Sequence, residues 1–208
     1  DHRDLHTAYR RQRQMCIRDT RYTNLNKLAK TQFFLPQDIE LAELPYQDIL
    51  PVDAPKIALV NGKFNRELSD LSTISEGILV NNFQEMSDEQ RALFSLENPT
   101  TLPKEGLPVK ALNDAILSDV LFIEIRPGWQ SDVPLHIVSI GCGDHVGFSS
   151  KIFVSAGENC HLDIVESHAG EHGSTYFSSC VSNIDIKAVS YTHLRAHETD
   201  SYLVCRLL

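Results

Sequence analysis

The 208-residue chain is long enough for one substantial domain, or one and a part, with a core of its own. Hydrophobic residues make up 42% and charged residues 23%, as in globular proteins, and no run approaches the roughly 18 apolar residues of a membrane span, so a transmembrane reading is excluded. Nineteen Lys and Arg against 28 Asp and Glu give a net charge of -9, which repels phosphate backbones and argues against a nucleic-acid binder.

The first stretch, residues 1–19, has apolar residues at neither helical nor strand spacing and is basic and glutamine-rich from Arg10 to Gln14. Its codons are more informative. Met15-Cys16-Ile17-Arg18-Asp19 can be written ATG TGT ATA AGA GAC, whose reverse complement, GTC TCT TAT ACA CAT, encodes Val189-Ser190-Tyr191-Thr192-His193. One inverted repeat can therefore encode both flanks, and it resembles the transposon-end adapters used to prepare sequencing libraries. Residues 1–19 and 189–208 are accordingly read as non-native and expected to have no fold of their own. They remove 7 of the 19 Lys and Arg and 5 of the 28 Asp and Glu, so residues 20–188 keep 12 against 23, a net charge of -11. His2, His6, His193, His197, Cys16 and Cys205 leave with them.

From Thr23, Leu25, Leu28, Ala29 and Phe33 have helical spacing, and the element is expected to end near Phe34 before Pro36. Pro36, Pro45, Pro51 and Pro55 among carboxylates predict an extended connector over 36–56. Lys56-Ile57-Ala58-Leu59-Val60 before Asn61-Gly62, with Phe64 beyond, predicts a hairpin. Ile78-Leu79-Val80 is a further short apolar run. A helix is expected from about Ser87, capped by its hydroxyl, with Glu89 and Gln90 in the first turn and Ala92, Leu93 and Leu96 toward the core. Val109, Leu112, Ala115 and Ile116 make a last helical stripe, so 20–118 reads as a small mixed α/β region.

The pattern changes at 119. Five short segments rich in β-formers follow, Val120 to Arg126, Leu135 to Ile140, Ser150 to Val154, His161 to Glu166 and Tyr176 to Lys187, separated by glycine-bearing turns. Their alternation (Leu121, Ile123, Ile125; Leu162, Ile164; Ile184, Ile186) and the lack of helices between them fit an antiparallel sandwich or a β-solenoid. A solenoid would need more turns than fit before Ala188, plus a cap, so the stack is expected to be truncated there, with an open edge around Ile184 and Ile186.

The order of several motifs is informative: Arg21-Tyr22-Thr23-Asn24-Leu25, Leu59-Val60-Asn61-Gly62-Lys63-Phe64 leading into Glu67-Leu68-Ser69, Ala111-Leu112-Asn113-Asp114-Ala115, Val133-Pro134-Leu135-His136-Ile137, and Tyr176-Phe177. Together they resemble the N-terminal part of the SufD family, scaffold partner of SufB in iron–sulfur cluster assembly, over most of residues 20–188. Two positions depart from it: Thr20-Arg21 stands where the family commonly has a tryptophan before Tyr-Thr, and Asp119-Val120 where it commonly has Asp-Gly. The resemblance implies an α+β chain whose mixed region at 20–118 precedes, over 119–188, the first turns of a right-handed parallel β-helix. It also implies a cytoplasmic, non-enzymatic scaffold with SufB-like and SufC-like partners, no cofactor of its own, and a cluster assembled transiently by the full complex. The family's cluster-building positions would fall beyond Ala188.

The thiol and imidazole groups of 20–188 are the candidate metal ligands: Cys142, His145, Cys160, His161, His168, His172 and Cys180, with Glu166 nearby. Their spacing matches no ligand motif, and adjacent Cys160 and His161 would point to opposite faces of a strand, so the simpler reading is solvated turn histidines and small buried cysteines. Ser167, His168 and Asp163 offer the residue types of a hydrolase triad without a nucleophile elbow. An enzyme or sugar-binding protein on a β-solenoid or cupin-like domain, using Asp163, Glu166 and His168, is the alternative. Trp129, after Pro127-Gly128, is read as packing.

Overall fold

In the computed structural model, which describes residues 28, 30–37, 39, 54–74, 76–95, 107–186, 191–198 and 204–207, the expected hairpin is present. Lys56–Val60 (β1) and Lys63–Asp70 (β2) run antiparallel about Asn61-Gly62. Both turn residues have positive φ, 49° and 79°, as a type I′ turn requires. Gly62 also passes so close to the neighbouring chain that a Cβ there would lie 2.6 Å from the Ser149 carbonyl oxygen.

After β3 (Ile78–Asn82) comes α1 (Asp88–Ser95). Ser87 Oγ accepts from the Gln90 amide (3.2 Å) while Gln90 Oε1 accepts from the Ser87 amide (3.1 Å), a reciprocal cap that satisfies two first-turn donors. The second helix, α2 (Leu107–Ala115), differs from expectation. Leu112 is 36% exposed and Ala115 is exposed, whereas Asn113 is fully buried. Its Nδ2 donates to the Ser179 carbonyl (3.1 Å), to Ser179 Oγ (3.1 Å) and to the Ser150 carbonyl (3.4 Å). The helix is thus anchored by polar bonds to the sheet beneath, and Lys151 Nζ meets Asp114 at 2.8 Å beside it.

The remaining strands are β4 (Leu117–Ile125), β5 (Leu135–Gly141), β6 (Val146–Ala156), β7 (His161–Gly170), β8 (Tyr176–Ile186), β9 (Tyr191–Glu198) and β10 (Val204–Leu207). All five β segments expected between Val120 and Lys187 are there. They build two mixed sheets, in the orders β2-β1-β5-β7-β9 and β10-β8-β6-β4-β3. Only β1–β2 and β3–β4 are antiparallel; every pairing of β1 with β5 and among β4 to β10 is parallel. An antiparallel sandwich is therefore excluded for these strands, and the described strands close no barrel such as a cupin-like domain would need. From β4 on, successive strands cross from one sheet to the other, each pairing with the strand two places on.

The core lies between the sheets. Ile57 and Leu59 of β1, Leu135 and Ile137 of β5, and Leu162 and Ile164 of β7 meet Leu121, Ile123, Ile152, Val154 and Cys180 of the opposing sheet. The outer face of the second sheet is also apolar at β4 and β6, where Phe122 and Phe153 stack 5.3 Å apart under Met86. Trp129 packs against the main core and over Gly77, as expected of a corner tryptophan. β1 and β3 pair with β5 and β4, so residues before and after 118/119 share both sheets, and that boundary falls within β4.

Residues 189–208 were expected to hold no element, yet β9 and β10 pair with β7 and β8. The physical reason is the edge itself: a row of main-chain donors and acceptors offers ladder bonds to an extended segment whatever its side chains. The helix expected to run from Thr23 to near Phe34 has ended by Thr31, because Phe34 is drawn into a parallel bridge with Val146; the first flank, the first part of that helix, the connector over 40–53 and Leu96 lie outside the described residues.

Candidate functional site

Because each strand from β4 on leads into one of the other sheet, the turns gather at two ends of the stack. Gly141–Val146 and Gly170–Tyr176 meet at one end, where the Glu171 amide donates to the Gly141 carbonyl (2.9 Å) and the His145 amide to the Thr175 carbonyl (2.6 Å). At the opposite end the His161 amide donates to the Trp129 carbonyl (3.0 Å) and the Gly157 amide to that of Ile125 (2.9 Å). β7 runs between these ends over 10 residues, about 30 Å at roughly 3.3 Å per residue.

That geometry disperses the seven candidate ligands. Cys142, His145 and His172 belong to the first end, Cys160 and His161 to the second, and Cys180 and His168 lie between them along the strands. Cys160 is buried in the core while His161 is half-buried. Among the described residues no group of three or more His, Cys, Asp or Glu side chains is placed to share a metal ion.

The first end is tied by carboxylates. Asp144 Oδ1 accepts from the amides of Thr175 (2.7 Å) and His145 (3.1 Å), and Oδ2 lies 3.0 Å from His145 Nδ1. In return Glu171 Oε2 accepts from the Gly143 amide (3.1 Å), so each turn carries a side chain bonded to the main chain of the other. The Thr175 amide above all, with His145, holds the Asp144 carboxyl below its usual range. Burial, reinforced by the charge of Glu171, pushes the Cys142 thiol up, which disfavours the thiolate needed for attack or metal binding. The Cys142 peptide is gripped instead: its amide donates to Asn61 Oδ1 (2.8 Å) and its carbonyl accepts from Asn61 Nδ2 (3.1 Å).

Two polar groupings lie inside the protein. On the inner face of β7, Glu166 and His168, 2% and 4% exposed, approach to 3.8 Å, and Ser182 Oγ of the opposing sheet donates to Glu166 Oε1 (2.8 Å). On the outer face, Ser167 Oγ lies 2.7 Å from Nε2 of His136 on β5. The residue types that could have made a triad are thus taken apart by strand geometry: His168 projects to the face opposite Ser167, and Asp163 is four residues from Ser167 along β7. His136, part of a quoted motif, was not read as a site residue; only parallel pairing, opposite Val165 and next to Ser167, brings it there. At 3% exposure each, Ser167 and His136 form a nucleophile–base contact enclosed by protein, as Glu166 and His168 are.

Tyr176 organises the same region. A Cβ at Gly141 would lie 2.7 Å from its ring, and one at Gly170 2.0 Å, so the ring covers two glycines on neighbouring strands and stacks on Phe148 at 6.3 Å. The cleft beside the β1–β2 turn, about 170 Å³, is lined by Pro36, Ile39, Val60, Asn61, Lys63 and Phe64 and contains none of the candidate groups. No helix among the described residues is long and apolar enough to cross a membrane. No known family model matches the chain, and no curated protein matches it.

Proposed function

We propose that residues 20–188 are the N-terminal part of a SufD-like scaffold, acting in the cytoplasm with SufB-like and SufC-like proteins to build iron–sulfur clusters, and non-enzymatic by itself. The observation that carries the reading is the pairing pattern within 20–188: β4, β6 and β8, and β5 and β7, stack in parallel, each strand two places on, with no helix between them. This supports the first turns of a right-handed parallel β-helix following the mixed region at 20–118. The motifs behind the resemblance also fall at points of construction: Asn61-Gly62 makes the hairpin turn, Leu135-His136-Ile137 opens β5, and Tyr176 covers the paired glycines. The cluster is cargo of the assembled complex. Its building positions fall beyond Ala188, and the scattered Cys142, Cys160 and Cys180 take no part.

The test compares the chain with the uninterrupted gene product recovered from the source DNA. The chain alone shows no ATPase activity and retains no iron–sulfur absorption after anaerobic reconstitution. The uninterrupted product co-purifies with SufB-like and SufC-like proteins. A stable cluster spectrum in the chain alone, lost in a Cys142→Ser, Cys160→Ser double variant, overturns the reading, as does failure of the uninterrupted product to associate.

A further inference from the structure

Asn61-Gly62 carries a chemistry besides its turn, for it is the only asparagine of the chain followed by glycine. With no Cβ beside it, the Gly62 nitrogen can reach the Asn61 side chain more freely than the nitrogen of any other residue type could. When that nitrogen attacks Cγ, the new N–Cγ bond closes a five-membered succinimide. The Cγ–Nδ2 bond breaks, and Nδ2 leaves as ammonia with the proton of the Gly62 amide. Water then opens the ring at either carbonyl, leaving aspartate or its isomer linked through the side-chain carboxyl. No reactant other than water is needed.

The folded chain confines both partners of this reaction. Asn61 is 3% exposed, its own amide donates to the Ile140 carbonyl (2.8 Å), and its side-chain amide is fixed at both ends by one peptide. The Cys142 amide donates to Oδ1 (2.8 Å) and Nδ2 donates to the Cys142 carbonyl (3.1 Å). Gly62 is held in turn against β6 and the start of β4, where a Cβ would lie 2.6 Å from the Ser149 carbonyl oxygen and 3.1 Å from the Ser118 Cβ.

We propose that Asn61 is a deamidation site which the fold closes and unfolding opens, and whose product cannot rebuild the contact it came from. Ring closure must bring the Asn61 side chain and the Gly62 nitrogen together, which gives up both bonds to Cys142 and the left-handed turn at φ 49° and 79°. The rate therefore follows the fraction of molecules in which the hairpin is open. The product differs in its hydrogen bonding. One carboxylate oxygen can still accept from the Cys142 amide, but the other has no N–H to give and faces the Cys142 carbonyl, which loses its donor. The new charge is also enclosed, in surroundings where burial, reinforced by the charge of Glu171, already disfavours the Cys142 thiolate. In the isomer, one more main-chain carbon enters a turn built for two residues. An excursion into the open state thus leaves a permanent covalent mark, and the marked chain closes less well. None of this depends on the SufD-like reading.

Mass spectrometry of the full chain, incubated at mildly alkaline pH, measures conversion at Asn61, and a synthetic peptide of residues 56–66 gives the unrestrained rate. The folded chain should deamidate about 100-fold more slowly than the peptide, while the chain in denaturing urea should come within about threefold of the peptide in the same urea. A folded chain within about tenfold of the peptide overturns the proposal, because the Cys142 bonds and the turn would then give no protection. For the product, Asn61→Asp should have a lower urea midpoint than the parent; an equal midpoint overturns the second half. Refolding gives a reading that does not rely on that variant. When the urea-treated chain is returned to buffer and separated by size, the unmodified molecules should return as folded monomer and the deamidated ones should be enriched in the remainder. Equal partition of the two overturns the proposal as well.

Discussion

Asn61 makes two separable contributions, and substitutions can tell them apart. Its backbone sits at φ 49°, and its buried side chain holds both main-chain groups of Cys142, at 2.8 and 3.1 Å. Asn61→Gly keeps the left-handed backbone at little strain but deletes both bonds; at about 0.5–1.5 kcal/mol net for each, the loss is about 1–3 kcal/mol. The upper half of that range is expected because the Cys142 amide is enclosed and loses its only described acceptor. Asn61→Ala deletes the same bonds and also forces a Cβ into the left-handed region, adding about 1 kcal/mol. For a chain of this size each kcal/mol lowers Tm by about 2–4 °C, so glycine should cost about 4–12 °C and alanine about 2–4 °C more. Urea denaturation of the three proteins, with m unchanged, gives the differences directly. Equal stability of the glycine and parent proteins would show that the side-chain bonds contribute nothing. Equal stability of alanine and glycine would remove the backbone term.

Asn113→Leu, close in volume, should cost about 2–4 kcal/mol in denaturant unfolding, because the Ser150 and Ser179 carbonyls lose their buried donor; a loss under 0.5 kcal/mol refutes the anchoring role of α2. Gly170→Ala places a Cβ 2.0 Å from the Tyr176 ring and should destabilise by more than about 2 kcal/mol, with relief in a Gly170→Ala, Tyr176→Leu double variant as the check. Ser167→Ala should cost about 1 kcal/mol through the lost His136 contact, read by thermal unfolding. Asp144 has a folded pKa below its ordinary 3.8, so its contribution is complete above that value and is lost as pH falls through the folded value. The Thr175 amide resonance should accordingly titrate with a midpoint below pH 3.8, and a midpoint at or above 3.8 contradicts the Asp144–Thr175 bond.

Local rules made part of this fold legible. Asn-Gly between apolar runs gave the hairpin because both residues tolerate positive φ, and Ser87 with Gln90 gave the start of α1 because side chain and main chain cap each other. The five β segments were readable from period-two alternation. Their direction of pairing was not, since alternation is the same in parallel and antiparallel ladders. The stripe at Leu112 and Ala115 misled because it assumed that a helix buries its apolar face, whereas α2 buries Asn113 against carbonyls that only the assembled sheet supplies. The Ser167–His136 contact joins residues 31 apart on neighbouring strands, and no spacing rule predicts it before the register is known. The pairing of residues 191–198 and 204–207 was missed because the signal lies in the edge that receives them and not in their own sequence.

The register has a consequence for how such a chain can vary. Leu135 lies opposite Ile164, 29 residues on, and Val146 opposite Tyr176, 30 residues on. From β4 on, one circuit of about 30 residues therefore adds one strand to each sheet, about 4.8 Å further on. Length along the axis behaves like a count. A whole circuit gained or lost changes only that count, whereas one residue inserted within a strand turns every later inward side chain of that strand outward. Size variation among proteins built this way should come in steps of a circuit, or else be confined to turns such as 126–134, 142–145 and 171–175, where added chain leaves the stack intact.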